Sequence, residues 1–168
     1  MIIVFDGHDA SGKTTLSRCL SEALNAPLVK PFAGTVGQEI KRLTAEKRFK
    51  ELEEYAKDIL LNFEKKFHDE KYIVFDRHWL TILTLLPNYE FKTNFITPKT
   101  FVCHSDLDTT IKRLNERKDG KENEWDHEYY INLYKELGVK YNCVIIDTTP
   151  NPDPKDIIDN LIKQHLEV

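Results

Sequence analysis

Short runs of consecutive apolar residues alternate with longer amphipathic stretches along the chain. The apolar runs are predicted as strands at 2–6, 27–32, 72–76, 100–105 and 143–147. Each run is continuous and contains β-branched residues, which is typical of strands that are buried on both faces of a sheet. The pattern therefore predicts a parallel sheet that is covered on two sides.

The stretches between these runs repeat apolar residues three and four positions apart, which predicts helices. The predicted ranges are 13–25, 36–48, 51–69, 78–86, 106–118, 125–137 and 154–166. Ser105 or Asp106 can cap the fifth helix, and Asp153 followed by Pro154 is a typical helix start. Strands that alternate with helices predict a three-layer α/β domain with a five-stranded parallel sheet flanked by helices. In such domains, ligands bind at the carboxyl ends of the strands.

Composition narrows the class of protein. The 168 residues suit a single domain with its own core, and no apolar run approaches the ~20 residues that cross a bilayer. The formal net charge of -4 argues against polymeric nucleic acid as a partner, because binding to a phosphate backbone needs surplus Lys and Arg. Cys19, Cys103 and Cys143 are far apart, and the start of the sequence has no basic, long apolar leader. These features favour a reduced, cytoplasmic protein.

The segment GHDASGKTT at 7–15 lies between the first predicted strand and the first predicted helix. It matches the phosphate-binding pattern G-x-x-x-x-G-K-[ST]. In this pattern, backbone N–H groups face phosphate oxygens, the lysine reaches the β and γ phosphates, and the hydroxyl binds Mg²⁺. We therefore expect ATP and Mg²⁺ as cofactors. The predicted nucleotide-binding residues are Gly7, Ala10, Ser11, Gly12, Lys13, Thr14 and Thr15.

The third apolar run ends in Asp76 and Arg77, within the sequence VFDRHWLT. A carboxylate at a strand end can hold Mg²⁺ through water or orient a nucleophile, and an arginine can bind a phosphate with two hydrogen bonds. An Asp-Arg pair also occurs as a helix cap beside a surface cation. The pair alone does not identify what accepts the phosphoryl group.

The order and spacing of these motifs resemble the thymidylate kinase family of nucleoside monophosphate kinases. The shared segments are FDGHDASGKTT, KPFAGTVGQEIKRL and VFDRHWLT, followed by the cationic segment RLNERKDGK and a last strand at CVIID. The resemblance implies a P-loop kinase fold in one domain, 1–168, with a lid at about 113–127. It also implies transfer of the ATP γ-phosphoryl group to a deoxynucleoside 5′-monophosphate, with dTMP or a related pyrimidine deoxynucleotide as the expected acceptor.

The resemblance assigns roles to single residues around the acceptor. Asp9 is expected to contact the 3′-hydroxyl of the acceptor sugar, and Lys30 and Arg77 its phosphate. Asp76 is expected to organise Mg²⁺ and its waters, together with Thr14 as a ligand. Lys13 completes this set as the lysine that contacts the transferred phosphoryl group.

The lid is expected to supply a further positive charge. Some members of the family carry a catalytic arginine in the loop, whereas this chain has Ala10 there. A positive group must still meet the charge that spreads over the transferred phosphoryl group. Arg113 and Arg117, spaced four apart on one helix face, are the candidates. Lys118 and Lys121 are interpreted as solvated residues.

Two segments depart from the family pattern where that pattern recognises the base. EYAKDI offers Tyr55 as the aromatic residue but has Ile59 in place of arginine, and TLL stands at 84–86 in place of Ala-Tyr-Gln. Phe32 and Tyr55 are the predicted base contacts, with Phe63 and Trp79 as further candidates for an aromatic slot. The base itself stays open.

Other functions also stay open. A nucleoside kinase would use Asp76 as a base on a 5′-hydroxyl, and a nucleotide-dependent switch would keep the loop without phosphoryl transfer. A kinase that acts on a DNA end is disfavoured by the acidic charge balance. The stretch WLTILTLL at 79–86 is either a homodimer contact or the buried face of a helix. The histidines are interpreted as variable loop, surface or packing residues.

Overall fold

The structure, a computed structural model, describes residues 1–118 and 126–166. Five strands and seven α-helices alternate through these residues, with a short 3₁₀ turn at Pro87–Tyr89. The strands are β1 (Ile2–Asp6), β2 (Leu28–Val29), β3 (Ile73–Asp76), β4 (Lys99–His104) and β5 (Val144–Asp147). The helices are α1 (Lys13–Leu24), α2 (Thr35–Ala45), α3 (Phe49–Lys66), α4 (Trp79–Leu83), α5 (Leu107–Arg117), α6 (His127–Lys140) and α7 (Pro154–His165). None of the helices in the described ranges is long and apolar enough to span a membrane.

The strands form one parallel sheet in the order β2-β3-β1-β4-β5. Strand β1 is central, with Phe5 opposite Asp76 of β3 on one side and opposite Phe101 of β4 on the other. The strand order reverses direction at β1, so crevices for ligands open at its carboxyl end. The predicted α/β class and the five-stranded parallel sheet are confirmed.

Helices cover both faces of the sheet, which explains the unbroken apolar runs of the strands. One face packs Ile3 and Phe5 against α1 and α7, with Leu16 and Leu161 in the same cluster. On the other face, Val4 packs in the cluster that contains Leu60 of α3, while α4 and α6 cover Val102 of β4. The three layers predicted from the sequence are therefore present.

Several elements differ in extent from the prediction, among them β2, α4 and α6. Strand β2 is limited to Leu28–Val29 because Pro27 and Pro31 on either side have no N–H to donate to a ladder. Helix α4 ends at Leu83, and Pro87 holds Leu86 in an extended conformation. Helix α6 extends to Lys140, beyond the predicted end.

The predicted helix starts are confirmed at two positions. Asp106, rather than Ser105, caps α5 by accepting a hydrogen bond from the Thr109 N–H at 2.8 Å. Asp153 accepts a hydrogen bond from the Lys155 N–H at 2.9 Å, with Pro154 as the first residue of α7. A capping carboxylate satisfies N–H groups that have no partner within the helix.

The apolar stretch at 79–86 lies inside the molecule. Trp79, Leu80, Ile82 and Leu83 are each at most 1% exposed. These four residues form the buried face of α4, as one of the two interpretations predicts.

Helix α6 approaches the sheet closely at Gly138. A Cβ atom built on Gly138 would lie 2.8 Å from Cδ1 of Ile145 and 3.0 Å from Cγ2 of Val102. Because real Cβ atoms do not approach other carbons so closely, a larger residue there forces the side chains of Ile145 and Val102, or the helix itself, to shift.

We expect Gly138→Ala to lower the free energy of unfolding by about 1 kcal/mol, although alanine is the better helix former. Val139→Ala, at the next and exposed position of α6, is the control and should change stability by less than about 0.5 kcal/mol. Urea unfolding measures both variants. A Gly138→Ala protein at least as stable as the unsubstituted chain contradicts the close approach of α6.

Candidate active site

The loop between β1 and α1 adopts the conformation needed to cradle phosphates. Gly7 and Gly12 have φ values of 145° and 88°, and Ala10 has a φ of 60°. A Cβ atom on Gly7 would lie 2.4 Å from the carbonyl oxygen of Cys103, so only glycine fits there. Ser11 Oγ is buried and has no hydrogen-bond partner among the described residues. The backbone angles of Gly7, Ala10 and Gly12 therefore give the loop the curvature for an anionic ligand.

Lys13 is the first residue of α1, directly after the loop, and its side chain is largely buried. Its Nζ donates to the carbonyl oxygen of His8 at 3.1 Å and lies 3.8 Å from a carboxylate oxygen of Asp9. Burial lowers the pKa of Lys13 to about 8, helped by the positive charge of Arg77, while Asp9 and Asp76 act in the opposite direction. A bound polyphosphate would supply the negative charge that this lysine lacks.

Asp76 and Thr14 meet at the carboxyl ends of β3 and β1. The Thr14 hydroxyl donates to Oδ2 of Asp76 at 2.6 Å, and Nζ of Lys30 lies 3.9 Å from the same oxygen. A hydroxyl and a carboxylate next to a phosphate cradle form a donor set that fits Mg²⁺. The residues present therefore fit both the nucleotide and the metal expected from the sequence.

Arg77 occupies a strained backbone position directly after β3. Its φ of 79° is rare for any residue other than glycine, so the surrounding contacts must hold it there. Its Nη2 donates to Asp9 Oδ1 at 2.5 Å, and its Nη1 lies 3.3 Å from the carbonyl oxygen of Gly7. The guanidinium group thus lies next to the loop, with one edge paired to a carboxylate.

A cavity of about 600 Å³ opens beside Arg77, between α2, α4 and α6. Its volume falls within the range typical of small-molecule sites. One end is lined by Asp9 and Arg77, and its walls carry both apolar and hydroxyl side chains. The remaining lining residues are His8, Phe32, Gly37, Ile40, Lys41, Thr44, Ala45, Thr81, Thr84, Leu85, Tyr130 and Tyr134.

Two buried histidines connect the loop to the start of α6. Nε2 of His8 lies 2.7 Å from Nδ1 of His127, and the His8 ring stacks on Tyr130 with 5.8 Å between ring centroids. Burial lowers the pKa of His8 to about 4, so this imidazole is neutral at neutral pH. His8 lies in the loop, as predicted, and its contacts with His127 and Tyr130 fix its ring there.

A second cavity, of about 280 Å³, lies on the other side of the loop. Arg113 lies at this cavity, where Nη1 donates to the carbonyl of Ala10 at 3.1 Å and Nη2 to the carbonyl of Thr148 at 2.7 Å. Arg117, one turn further along α5, also lines this cavity, as does Thr15. Arg113 therefore ties the loop to the segment after β5. Lys121, like all of 119–125 in the predicted lid, lies outside the described residues.

The predicted aromatic slot does not form. Of its four members, only Phe32 lines the 600 Å³ cavity. Tyr55 packs in the cluster between α2 and α3, and Phe63 packs against β3. Trp79 is buried and donates its indole N–H to Thr100 Oγ1 at 2.8 Å. Tyr55 and Trp79 face neighbouring apolar residues because the rotation of their helices follows the apolar stripe and not the cavity. Phe63 lines a separate cavity together with Lys30 and Ile59.

The sequence reasoning missed Asp6, His127 and Tyr134 as residues of this region. Asp6 has a local signal, since it is a carboxylate at the end of a buried strand just before the loop. His127, Tyr130 and Tyr134 follow one another at helical spacing, which places their rings on one face of α6. Nothing in the local sequence indicates that this face meets the loop.

The chain is similar to known nucleotide kinases over nearly its whole length. It is 27% identical to a probable thymidylate kinase of Methanocaldococcus jannaschii, over 89% of this chain and 87% of that protein. No family model matches the sequence. The resemblance to thymidylate kinases that the motifs indicate is thus confirmed by a relative.

Solved structures share the fold. Deoxyadenosine kinase from M. mycoides with dCMP and dCDP bound has a TM-score of 0.66 at 19% identity, covering 98% of each chain. Thymidylate kinase from Ehrlichia chaffeensis has a TM-score of 0.61 at 16% identity, covering 99% of this chain and 98% of that one. The chain has a P-loop kinase fold, as predicted.

We expect affinity for an ATP analogue to fall about tenfold between pH 7 and pH 9. The pKa of Lys13 is lowered to about 8, so the lysine is charged below this pH and loses its charge above it. Calorimetry with a non-hydrolysable analogue and Mg²⁺ across this range measures the effect. Lys13→Met is the control, with weaker and nearly pH-independent binding. Constant affinity of the unsubstituted chain from pH 7 to pH 9 contradicts the lowered pKa.

Proposed function

We propose that the chain is an enzyme that transfers the γ-phosphoryl group of ATP to the 5′-phosphate of a nucleoside monophosphate. The observation that carries this proposal is the position of Asp76 and Arg77 between the phosphate-binding loop and the 600 Å³ cavity. A donor held by the loop and an acceptor held in the cavity would meet at these two residues. A pyrimidine deoxynucleotide such as dTMP is the acceptor that the family resemblance favours.

The donor side of the proposal rests on the loop. Backbone N–H groups and Lys13 bind the phosphates, and Thr14 and Asp76 hold Mg²⁺, which neutralises charge on the phosphates when bound. The 280 Å³ cavity beside Gly12 and Thr15 has the position expected for the rest of the donor nucleotide. Arg113 keeps this side of the loop in place through Ala10.

The acceptor side rests on charge and shape. Arg77 supplies positive charge for the acceptor phosphate, and Asp9 lies at the same end of the cavity for a sugar hydroxyl. Lys30 lines a neighbouring cavity but lies 3.9 Å from Asp76, where its charge can still act on the acceptor phosphate. Phe32 lies on the cavity wall where a base can pack. Tyr55 has no place in this proposal, because it does not line the cavity.

Catalysis in this proposal depends on alignment and charge rather than on covalent chemistry. Lys13 and Arg77 balance the negative charge of the two phosphate groups. Arg117 lies on the last turn of α5, at the start of the predicted lid, and is proposed as the cation that meets the transferred group. Arg113 acts beside it by fixing the loop, since its donors bind backbone carbonyls.

The similarity to a probable thymidylate kinase and the cysteine content support the proposed class of acceptor and the proposed location. A probable thymidylate kinase aligns with 89% of the chain, which supports a nucleotide acceptor rather than a nucleic acid. The three cysteines are free thiols, which is typical of the reducing cytoplasm proposed as its location. A homodimer remains part of the proposal.

A coupled assay for ADP release tests the reaction. ATP and Mg²⁺ are supplied with a panel of deoxynucleosides and their 5′-monophosphates, and we expect turnover with at least one monophosphate. Turnover with free nucleosides only would instead assign Asp76 as the base of a nucleoside kinase. ATP binding without turnover of any compound would favour a nucleotide-dependent switch.

Arg77→Ala should lower kcat/KM for the monophosphate about 100-fold and change KM for ATP less than threefold, because a charged partner of the acceptor is lost. Arg18→Ala, on the exposed side of α1, is the control and should leave both constants unchanged. Unchanged turnover in Arg77→Ala contradicts the proposed role of Arg77.

A further inference from the structure

Two hydroxyl groups and a buried carboxylate lie behind Arg77. The Tyr134 hydroxyl is 3.3 Å from Nη1 of Arg77 and 3.1 Å from the Thr81 hydroxyl. The Thr81 hydroxyl donates to Oδ1 of Asp6 at 2.5 Å, and the other oxygen of Asp6 accepts the His78 N–H at 3.0 Å. These groups form a continuous chain from the guanidinium to the end of β1.

The two ends of this chain fix the direction of its hydrogen bonds. Arg77 can only donate, and an ionised Asp6 can only accept. The Tyr134 hydroxyl therefore accepts from Arg77 and donates to Thr81, which in turn donates to Asp6. Burial raises the pKa of Asp6, while the Thr81 hydrogen bond and the charge of Arg77 act against this rise.

This hydrogen-bond chain contacts only one edge of the Arg77 guanidinium group. Nη1 contacts Tyr134, Thr81 and the Gly7 carbonyl, all at 3.3 Å, whereas Nη2 pairs with Asp9. Planar guanidinium groups bind phosphate best when their orientation is fixed. Fixing Nη1 leaves the Nη2 edge directed toward the end of the cavity that Asp9 lines.

We propose that Tyr134 and Thr81 are positioning residues, which hold Arg77 so that its Nη2 edge meets the acceptor phosphate. This inference rests on the proposed function. The two residues act through Arg77, and Tyr134 couples helix α6 to the turn after β3. The strained φ of 79° at Arg77 is consistent with a residue whose position is set by several surrounding contacts.

Tyr134→Phe removes only the hydroxyl. We expect its affinity for the deoxynucleoside monophosphate to fall about tenfold, while its affinity for the matching nucleoside without phosphate changes less than twofold. KM for ATP should also stay within twofold. A loss confined to the phosphate-bearing ligand is what a positioning role predicts, since general loosening of the cavity would weaken both ligands.

Tyr129→Phe is the matched control. Tyr129 lies on the same helix, is 46% exposed and pairs its hydroxyl with Tyr89 outside the cavity lining. This variant should bind both ligands as the unsubstituted chain does. Equal losses for the two ligands in Tyr134→Phe, or no loss at all, overturn the positioning role.

Thr81 provides a second, independent pair of variants. Thr81→Val has nearly the same shape but no hydroxyl, and it should reproduce the selective loss of the monophosphate. Thr81→Ser keeps the hydroxyl. The ratio of its affinity for the monophosphate to its affinity for the nucleoside should recover at least half of the decrease that Thr81→Val causes. A Thr81→Ser protein as defective as Thr81→Val overturns the proposed hydrogen-bond chain.

A measurement without substrate separates this inference from the proposed function. NMR of the Arg77 guanidinium reports the exchange of its Nη protons, which should be faster in Tyr134→Phe than in Tyr129→Phe. Equal exchange in the two variants overturns the inference. If the unsubstituted chain binds neither nucleosides nor monophosphates, the proposed function fails, while the exchange comparison still decides whether Tyr134 holds Arg77.

Discussion

The contact between the end of β1 and the turn after β3 determines the arrangement of the whole site. The Arg77 N–H donates to the Phe5 carbonyl at 2.9 Å, and Asp6 binds the next turn through His78 and Thr81. Because these bonds link neighbouring parallel strands, the loop that follows β1 and the two residues that follow β3 lie side by side. Without this contact, the loop would remain a phosphate cradle, but Asp76 and Arg77 would have no fixed relation to it.

Helices far apart in sequence stabilise this central contact. Tyr134 and His127 of α6 reach Arg77 and the loop across 57 and 119 residues of sequence, respectively. Arg113 of α5 joins the loop to the segment after β5 from the opposite side. The loop is therefore held by contacts on both sides. Because these contacts already restrict its conformation, the loop loses less conformational entropy when an anionic ligand binds.

The fold and the loop could be predicted from the sequence because both depend on local patterns. Continuous apolar runs mark strands buried on two faces, and the glycines of the loop mark backbone angles that other residues rarely adopt. Asp76 and Arg77 follow from the rule that ligands meet the carboxyl ends of strands. The role of Tyr134 and the packing of Tyr55 were not predictable, because they depend on how far each helix is rotated about its axis. Arg113 was expected at the transferred group, but its donors bind carbonyls of the protein.

The pairing of Asp9 with Arg77 has a consequence for which ligands can compete for the cavity. Asp9 already occupies the guanidinium edge, and as a tethered carboxylate it acts at an effective concentration that no free monoanion reaches in dilute solution. A neutral compound of the right shape gains nothing at Arg77, whereas a dianion replaces one carboxylate with a stronger partner. The intramolecular competitor thus sets a threshold of charge that a group of the ligand must exceed before it gains a contact with Arg77.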